Sequence, residues 1–164
     1  MIGENISHYK ILDVLGSGGM GIVYKAEDIK LHRTVALKFL PFELTSDETA
    51  KKRFIHEAQA ASSLQHNNIC TIHEIDETED GQFFISMDYY EGETLKNKLK
   101  REPLSLDEII NITMQIAEGL NKAHENGIIH RDIKAANIFI TKEGIVKILD
   151  FGLAKKADRS QFTT

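Results

Sequence analysis

The sequence predicts an α+β fold in two lobes: an antiparallel five-stranded sheet with one helix, then an incomplete, mainly helical second lobe. Three observations carry this. The first third of the chain alternates apolar and polar side chains around glycine-containing turns, which is strand patterning. Two later stretches repeat apolar residues at helical spacing. After the second of these, only short apolar runs follow, separated by polar or glycine-containing loops.

"YKILDVL" and "GIVYKAED" read as two strands joined by a glycine-rich turn, and "TVALKFL" as a third that Pro41 ends. "TSDETAKKRFIHEAQAASSL" reads as a helix, with Thr45 and Glu48 as a capping box and Phe54, Ala58, Ala61 and Leu64 on one face. Glu57 shares that face. A carboxylate there needs a partner, because burying it alone is costly. "ICTIHEI" and "QFFISMDYY" are the fourth and fifth strands, around the turn "EDGQ".

The character of the chain changes between Tyr90 and Thr94. "SLDEIINITMQIAEGLNKAHENG" is a long helix, capped by Ser105 and Glu108 and ended by Gly127. Its stripe is Ile109, Ile112, Ile116, Leu120 and Ala123. "GIIH", "NIFIT" and "IVKIL" then read as three short strands. The first lobe covers residues 1 to about 90, and the start of the second about 91 to 164.

The 164 residues suffice for a real core, and 41% apolar with 27% charged residues is a globular profile. A formal charge of -5 argues against a general nucleic-acid surface. Cys70 is the only cysteine, so no internal disulfide forms and a reducing compartment is the default. No apolar run approaches the roughly 20 residues that span a bilayer. A cytoplasmic location is the expectation, compatible with a membrane-anchored parent protein.

Four motifs carry chemistry. "LGSGGMGIVYKA" spaces Gly16, Gly18 and Gly21 as G-x-G-x-x-G, which lets backbone N–H groups approach phosphate oxygens. The same spacing fits a flexible hairpin turn. It also fits a dinucleotide site, but there a helix must follow, and the β-branched "IVYKA" disfavours one. "VALK" puts Lys38 on the strand face of Ala36, opposite Val35, Leu37 and Phe39. A lone lysine there is usually solvated; Glu57 is its natural partner if both are buried. "HRDIKAAN" carries His130, Arg131, Asp132, Lys134 and Asn137 in a loop pinned between apolar runs. A charged surface loop is the plain alternative. Asp132 is suited to accept a hydroxyl proton, and Asn137 to offer an oxygen to a hard cation. "LDFG" sets Asp150 at a strand end, beside a glycine that permits a sharp turn. With Asn137 it makes a two-oxygen site suited to Mg²⁺.

Taken together, in order and spacing, these stretches resemble the eukaryotic-type protein kinases. Lys134, two residues after Asp132, is similar to the serine/threonine subclass, and "RFIHEAQAASSLQHNNI" and "LAKKAD" have a bacterial flavour. The resemblance implies a protein-kinase-like fold and the cofactors ATP and Mg²⁺. It implies that Gly16, Ser17, Gly18, Gly19, Met20 and Gly21 cover the phosphates. Lys38 would hold the α- and β-phosphates and pair with Glu57. Asp132 would orient and deprotonate the acceptor hydroxyl, and Lys134 would steady the γ-phosphate. Asn137 and Asp150 would bind Mg²⁺. Met87 would be the gatekeeper, with Asp88, Tyr89 and Tyr90 as the hinge that meets adenine, and Val23, Ala36 and Phe139 would sandwich the ring. Leu37, Ile133 and Ala135 depart from the commoner family residues without removing a reactive group.

The family continues well past this point through an activation segment and further helices, so a partial domain of a longer product is expected. The first functional reading is an ATP:protein serine/threonine phosphotransferase acting on protein substrates that the sequence does not name. The alternative is an ATP-binding module without catalysis, and a dinucleotide oxidoreductase rests on glycine spacing alone.

Overall fold

The computed structural model describes residues 1–18, 21–42 and 47–151. Six antiparallel strands form the first sheet: β1 (Asn5–Ile6), β2 (Tyr9–Gly18), β3 (Gly21–Asp28), β4 (Arg33–Phe39), β5 (Ile72–Glu77) and β6 (Phe83–Asp88). Their order is β1-β2-β3-β4-β6-β5. The expected five strands are all present. The sixth is the short β1, where Asn5 pairs with Lys10 and Ile6 with Tyr9. A two-residue strand has too few side chains to show a period.

Period-two patterning decides which way β4 faces. Val35, Leu37 and Phe39 bury into a cluster with Tyr9, Ile11, Tyr24 and Phe84. Ala36 points to the other face, into a cluster with Leu40, Phe54, Ala58, Phe83, Ile85 and Met87. Phe54 and Ala58 belong to helix α1 (Glu48–Ser62), which covers that face. The expected Thr45 cap of α1 lies outside the described residues.

The second part differs from expectation in three places. Gly92–Thr94 is a strand, β7, and Leu95–Arg101 a helix, α2, whose first turn is capped by the Thr94 side chain accepting from Asn97 N–H. "GIIH" is not a strand. The three-stranded sheet is β7-β8-β9, with β8 at Ile138–Thr141 and β9 at Val146–Ile148. β7 takes the place beside β8. A short apolar run does not distinguish a strand from a buried connection. Only glycine can occupy position 92: its φ is 150°, and a Cβ would lie 2.1 Å from Ile140 O.

Helix α3 (Leu106–Glu125) carries the expected capping box, Ser105 with Glu108. Of its expected stripe, Ile112 and Ala123 are buried and Ile116 and Leu120 half-buried. Ile109 is 46% exposed. At Gly119 α3 lies close on β9: a Cβ there would meet Ile148 Cδ1 at 2.8 Å and Asn68 O at 3.1 Å.

Buried Asn68 ties these pieces together. Its Nδ2 donates to Val146 O (2.9 Å), and its carbonyl accepts from Ile148 N–H (2.8 Å). Cys70 N–H donates to Ile148 O at 3.0 Å. The connection leading into β5 is thereby hydrogen-bonded to β9, the strand that delivers Asp150.

Candidate active site

The glycine-rich hairpin pairs Gly16 with Val23, Ser17 with Ile22 and Gly18 with Gly21. Gly21 has φ 108°, and a Cβ there would lie 1.8 Å from Phe39 O, so the hairpin closes on β4 only with glycine at this place. Gly19 and Met20 lie outside the described residues.

Lys38 sits in mid-sheet, opposite Val23 on β3 and Ile85 on β6, and is only 4% exposed. Its ammonium is held by Asp150, Nζ to Oδ1 at 2.8 Å. A charge so deeply placed needs such a partner. The expected partner, Glu57, is not at Lys38. Glu57 Oε1 lies 3.9 Å from Arg131 Nη1 instead. Helical spacing sets the face on which Glu57 stands, but the rotation of α1 over the sheet sets which cation it meets.

The catalytic-loop candidates are joined to one another. Lys134 Nζ lies 2.9 Å from Asp132 Oδ2. Asn137 Nδ2 donates to Asp132 O at 2.9 Å and to Asp132 Oδ2 at 3.3 Å. The amide nitrogen of Asn137 is thus committed, and Oδ1 is the atom with acceptor capacity for a cation. A 3-10 turn over Ala135–Asn137 presents this side chain, with Asn137 N–H donating to Lys134 O.

The loop is fastened to the strand before Asp150. Leu149 N–H donates to Asn137 O at 2.9 Å. His130 Nδ1 accepts from Asp132 N–H at 3.2 Å, which makes Nε2 the donor to Leu149 O at 2.7 Å. Burial disfavours the imidazolium and lowers the His130 pKa below its ordinary value. The neutral ring packs on Phe151, centroids 4.7 Å apart. Arg131 (φ 66°) and Asp150 (φ 55°) hold left-handed backbone without being glycine. Such strain costs on the order of 1–3 kcal/mol and persists where the surroundings over-determine it. Gly152 and everything after it lie outside the described residues.

Met87 and Asp88 end β6, and Tyr89 and Tyr90 lead on toward β7. Met87 and Ala36 are buried in the cluster under α1, with Val23 and Tyr90 packed against it. Tyr90 and Phe139 face each other at 6.3 Å. Cys70 lies behind them, and burial pushes its thiol up to about 12, so it stays protonated at neutral pH.

Among the described residues there is no group of three or more His, Cys, Asp or Glu placed to hold a metal. The expected metal ligands Asn137 and Asp150 are tied through the backbone by Leu149 N–H donating to Asn137 O, and the Asp150 carboxylate meets Lys38. Sequence reasoning assigned no role to His130, Asn68 or Arg131. His130 and Arg131 stood in "HRDIKAAN" as a signal. Asn68, in "HNNI", carried none.

Comparison with known proteins agrees with this arrangement. The family described as protein kinase domain matches residues 9–164. The chain is 46% identical over 165 residues to the serine/threonine-protein kinase PrkC of Bacillus subtilis, covering 99% of this chain and 25% of PrkC. It is 40% identical over 160 residues to the serine/threonine-protein kinase PknB of Mycobacterium leprae, covering 94% of this chain and 26% of that one. The chain spans about a quarter of the length of the curated relatives it matches. Among solved structures, the PknI kinase domain of Mycobacterium tuberculosis superimposes with a TM-score of 0.84 at 31% identity, over 94% of this chain and 62% of that one.

Proposed function

Because this chain belongs to the protein kinase domain family, we propose that it supplies the nucleotide-binding lobe and catalytic loop of a serine/threonine protein kinase. The reaction transfers the γ-phosphoryl group of ATP to serine or threonine hydroxyls of proteins. The family generally uses ATP and Mg²⁺. Residues 1 to about 90 form the nucleotide lobe, and about 91 to 164 begin the lobe that carries the catalytic loop.

The observation that supports this best is a continuous set of contacts through the site. Lys134 and Asn137 bond Asp132, Asn137 bonds Leu149, and the next residue, Asp150, bonds Lys38. Phosphoryl transfer asks a protein mainly for position and charge. Gly16, Ser17, Gly18, Gly19, Met20 and Gly21 cover the phosphates, and Lys38 orients them. Val23, Ala36 and Phe139 flank adenine against the Met87–Tyr90 backbone. Asn137 and Asp150 would hold Mg²⁺, which would offset the negative charge of the phosphates. Asp132 accepts the proton of the acceptor hydroxyl, and Lys134 faces the transferring group.

A second reading, a nucleotide-binding module without catalysis, is favoured by the position of Glu57 on Arg131 rather than on Lys38. Asp132→Asn in the full-length protein separates the two. A kinase keeps its ATP affinity in this variant and loses phosphotransfer by about 10²- to 10⁴-fold. A parent protein that binds ATP and shows no transfer to any protein would establish the second reading.

A further inference from the structure

The polar contacts on the outer side of the hinge have no part in the reading above. His73 stands on β5, and its Nε2 lies 2.8 Å from Asp88 Oδ1. The other carboxylate oxygen, Oδ2, accepts from the Tyr90 hydroxyl at 3.0 Å. Asp88 N–H donates to Thr71 O, also at 3.0 Å. One carboxylate therefore links the first sheet to the residue two places beyond its last strand.

Tyr90 carries the link onward. Its ring lies 6.3 Å from that of Phe139 on β8, and Lys147 Nζ of β9 sits 5.0 Å over the ring. Lys147 is itself anchored by donating to Asn67 O. Burial, with Cys70 and Asp88 close by, raises the pKa of the Tyr90 phenol above its ordinary value, so the phenol remains a hydrogen-bond donor to Asp88. His73 donates through Nε2–H as a neutral ring or as imidazolium.

We infer that His73 is a positioning residue for the nucleotide: through Asp88 it holds Tyr90, and so sets the backbone of Met87–Tyr90 against which adenine is read. This rests on the nucleotide reading proposed above. Backbone N–H and C=O groups recognise a base edge only in one orientation. A hinge held in that orientation before binding avoids the cost of ordering it during binding. Among the described residues, the hydrogen bonds and ion pairs of these three side chains do not reach Lys38, Lys134, Asn137 or Asp150. The clasp acts on affinity and leaves the chemical step alone.

The test is calorimetry with Mg-ATP, beside steady-state phosphotransfer to a basic protein, using the full-length protein at one pH. His73→Ala raises Kd and KM for ATP by about fivefold to tenfold, the scale of the net contribution of one ordinary hydrogen bond, with kcat unchanged. His73→Gln, which keeps a side-chain N–H donor, restores most of the affinity. Tyr90→Phe removes a single oxygen and weakens binding on the same scale, and it keeps the test open should His73→Ala fail to fold. Because both act through Asp88, the double variant His73→Ala/Tyr90→Phe is weaker by less than the product of the two single effects. Unchanged ATP affinity in folded His73→Ala and Tyr90→Phe overturns the inference and leaves the nucleotide site standing, as does a loss confined to kcat. A parent protein that does not bind Mg-ATP overturns both.

Discussion

Lys38 Nζ lies 2.8 Å from Asp150 Oδ1, inside the sheet, while Glu57 is turned to Arg131 at the rim. The two ion pairs differ in exposure, and that difference separates their consequences. Lys38 is nearly buried and Asp150 mostly so. Glu57 and Arg131 are 26% and 64% exposed at a longer distance.

Lys38→Met tests the inner pair. The substitution keeps most of the volume but leaves the Asp150 carboxylate without its cation. Breaking a fully buried pair costs about 3–5 kcal/mol. Asp150 retains some access to water, so the expected loss in chemical denaturation is smaller than that. Phosphotransfer falls by about 10²- to 10³-fold, the scale for removing one donor that meets developing charge. Transfer at the parental rate by a folded Lys38→Met protein would remove Lys38 from the phosphate-binding role.

Glu57→Ala tests the outer pair and has the opposite signature. An exposed pair at this separation contributes roughly 0–1 kcal/mol. Thermal unfolding of the variant should therefore stay within about 1 kcal/mol of the parent. A much larger loss would mean that Glu57 is satisfied by something other than Arg131.

The contrast between these pairs shows where sequence reading stops. Alternation placed Ala36 and Lys38 opposite Val35, Leu37 and Phe39, because the period of a strand is local. Ser105 and Glu108 announced the start of α3 for the same reason. The partner of Glu57 depends on how α1 lies over the sheet, and no local period reports that. "GIIH" was misread because apolar runs of this length serve strands and connections alike, and Gly92–Thr94 was missed because three residues show no period. Asn68 fastens β9 from 80 residues away from Ile148, and long-range carbonyl bonds of that kind leave no pattern in sequence.

Gly119 offers a test of how tightly α3 must lie on β9. A Cβ there would stand 2.8 Å from the flexible end of Ile148, and 3.1 Å from the backbone oxygen of Asn68. Gly119→Ala gains up to about 1 kcal/mol of helix propensity. That gain offsets the small shift of Ile148, so near-neutral stability is expected. Gly119→Val adds a branched side chain against backbone that cannot move aside, and should cost about 1–3 kcal/mol by overpacking. Because β9 delivers Asp150, the valine variant should also lose ATP affinity. Equal stability for both variants in urea denaturation would show that α3 has room to move away.

His130 gives the pH prediction. Its pKa is lowered in the folded chain, chiefly because burial penalises the imidazolium. The unfolded chain therefore takes up this proton at a higher pH than the folded one does. Protons bound by the unfolded state make stability rise with pH, so the neutral ring contributes fully above the ordinary histidine pKa of about 6.5. The contribution is lost as pH falls below that value toward the lower folded pKa. One proton changes stability by at most about 1.4 kcal/mol per pH unit. Charging the ring would leave Nδ1 unable to accept from Asp132 N–H, so the loop that carries Asp132 should loosen over the same range. His130→Phe keeps a ring beside Phe151 and removes the titration. Its stability should be lower than the parent's at pH 7.5, since the bond to Leu149 O is gone, yet it should fall less steeply between pH 6.5 and 5. Denaturation curves at several pH values decide this from the slopes, whatever the offset between the two proteins. Parallel slopes would mean that the buried His130 ring does not govern acid stability, and that the loss must come from other groups.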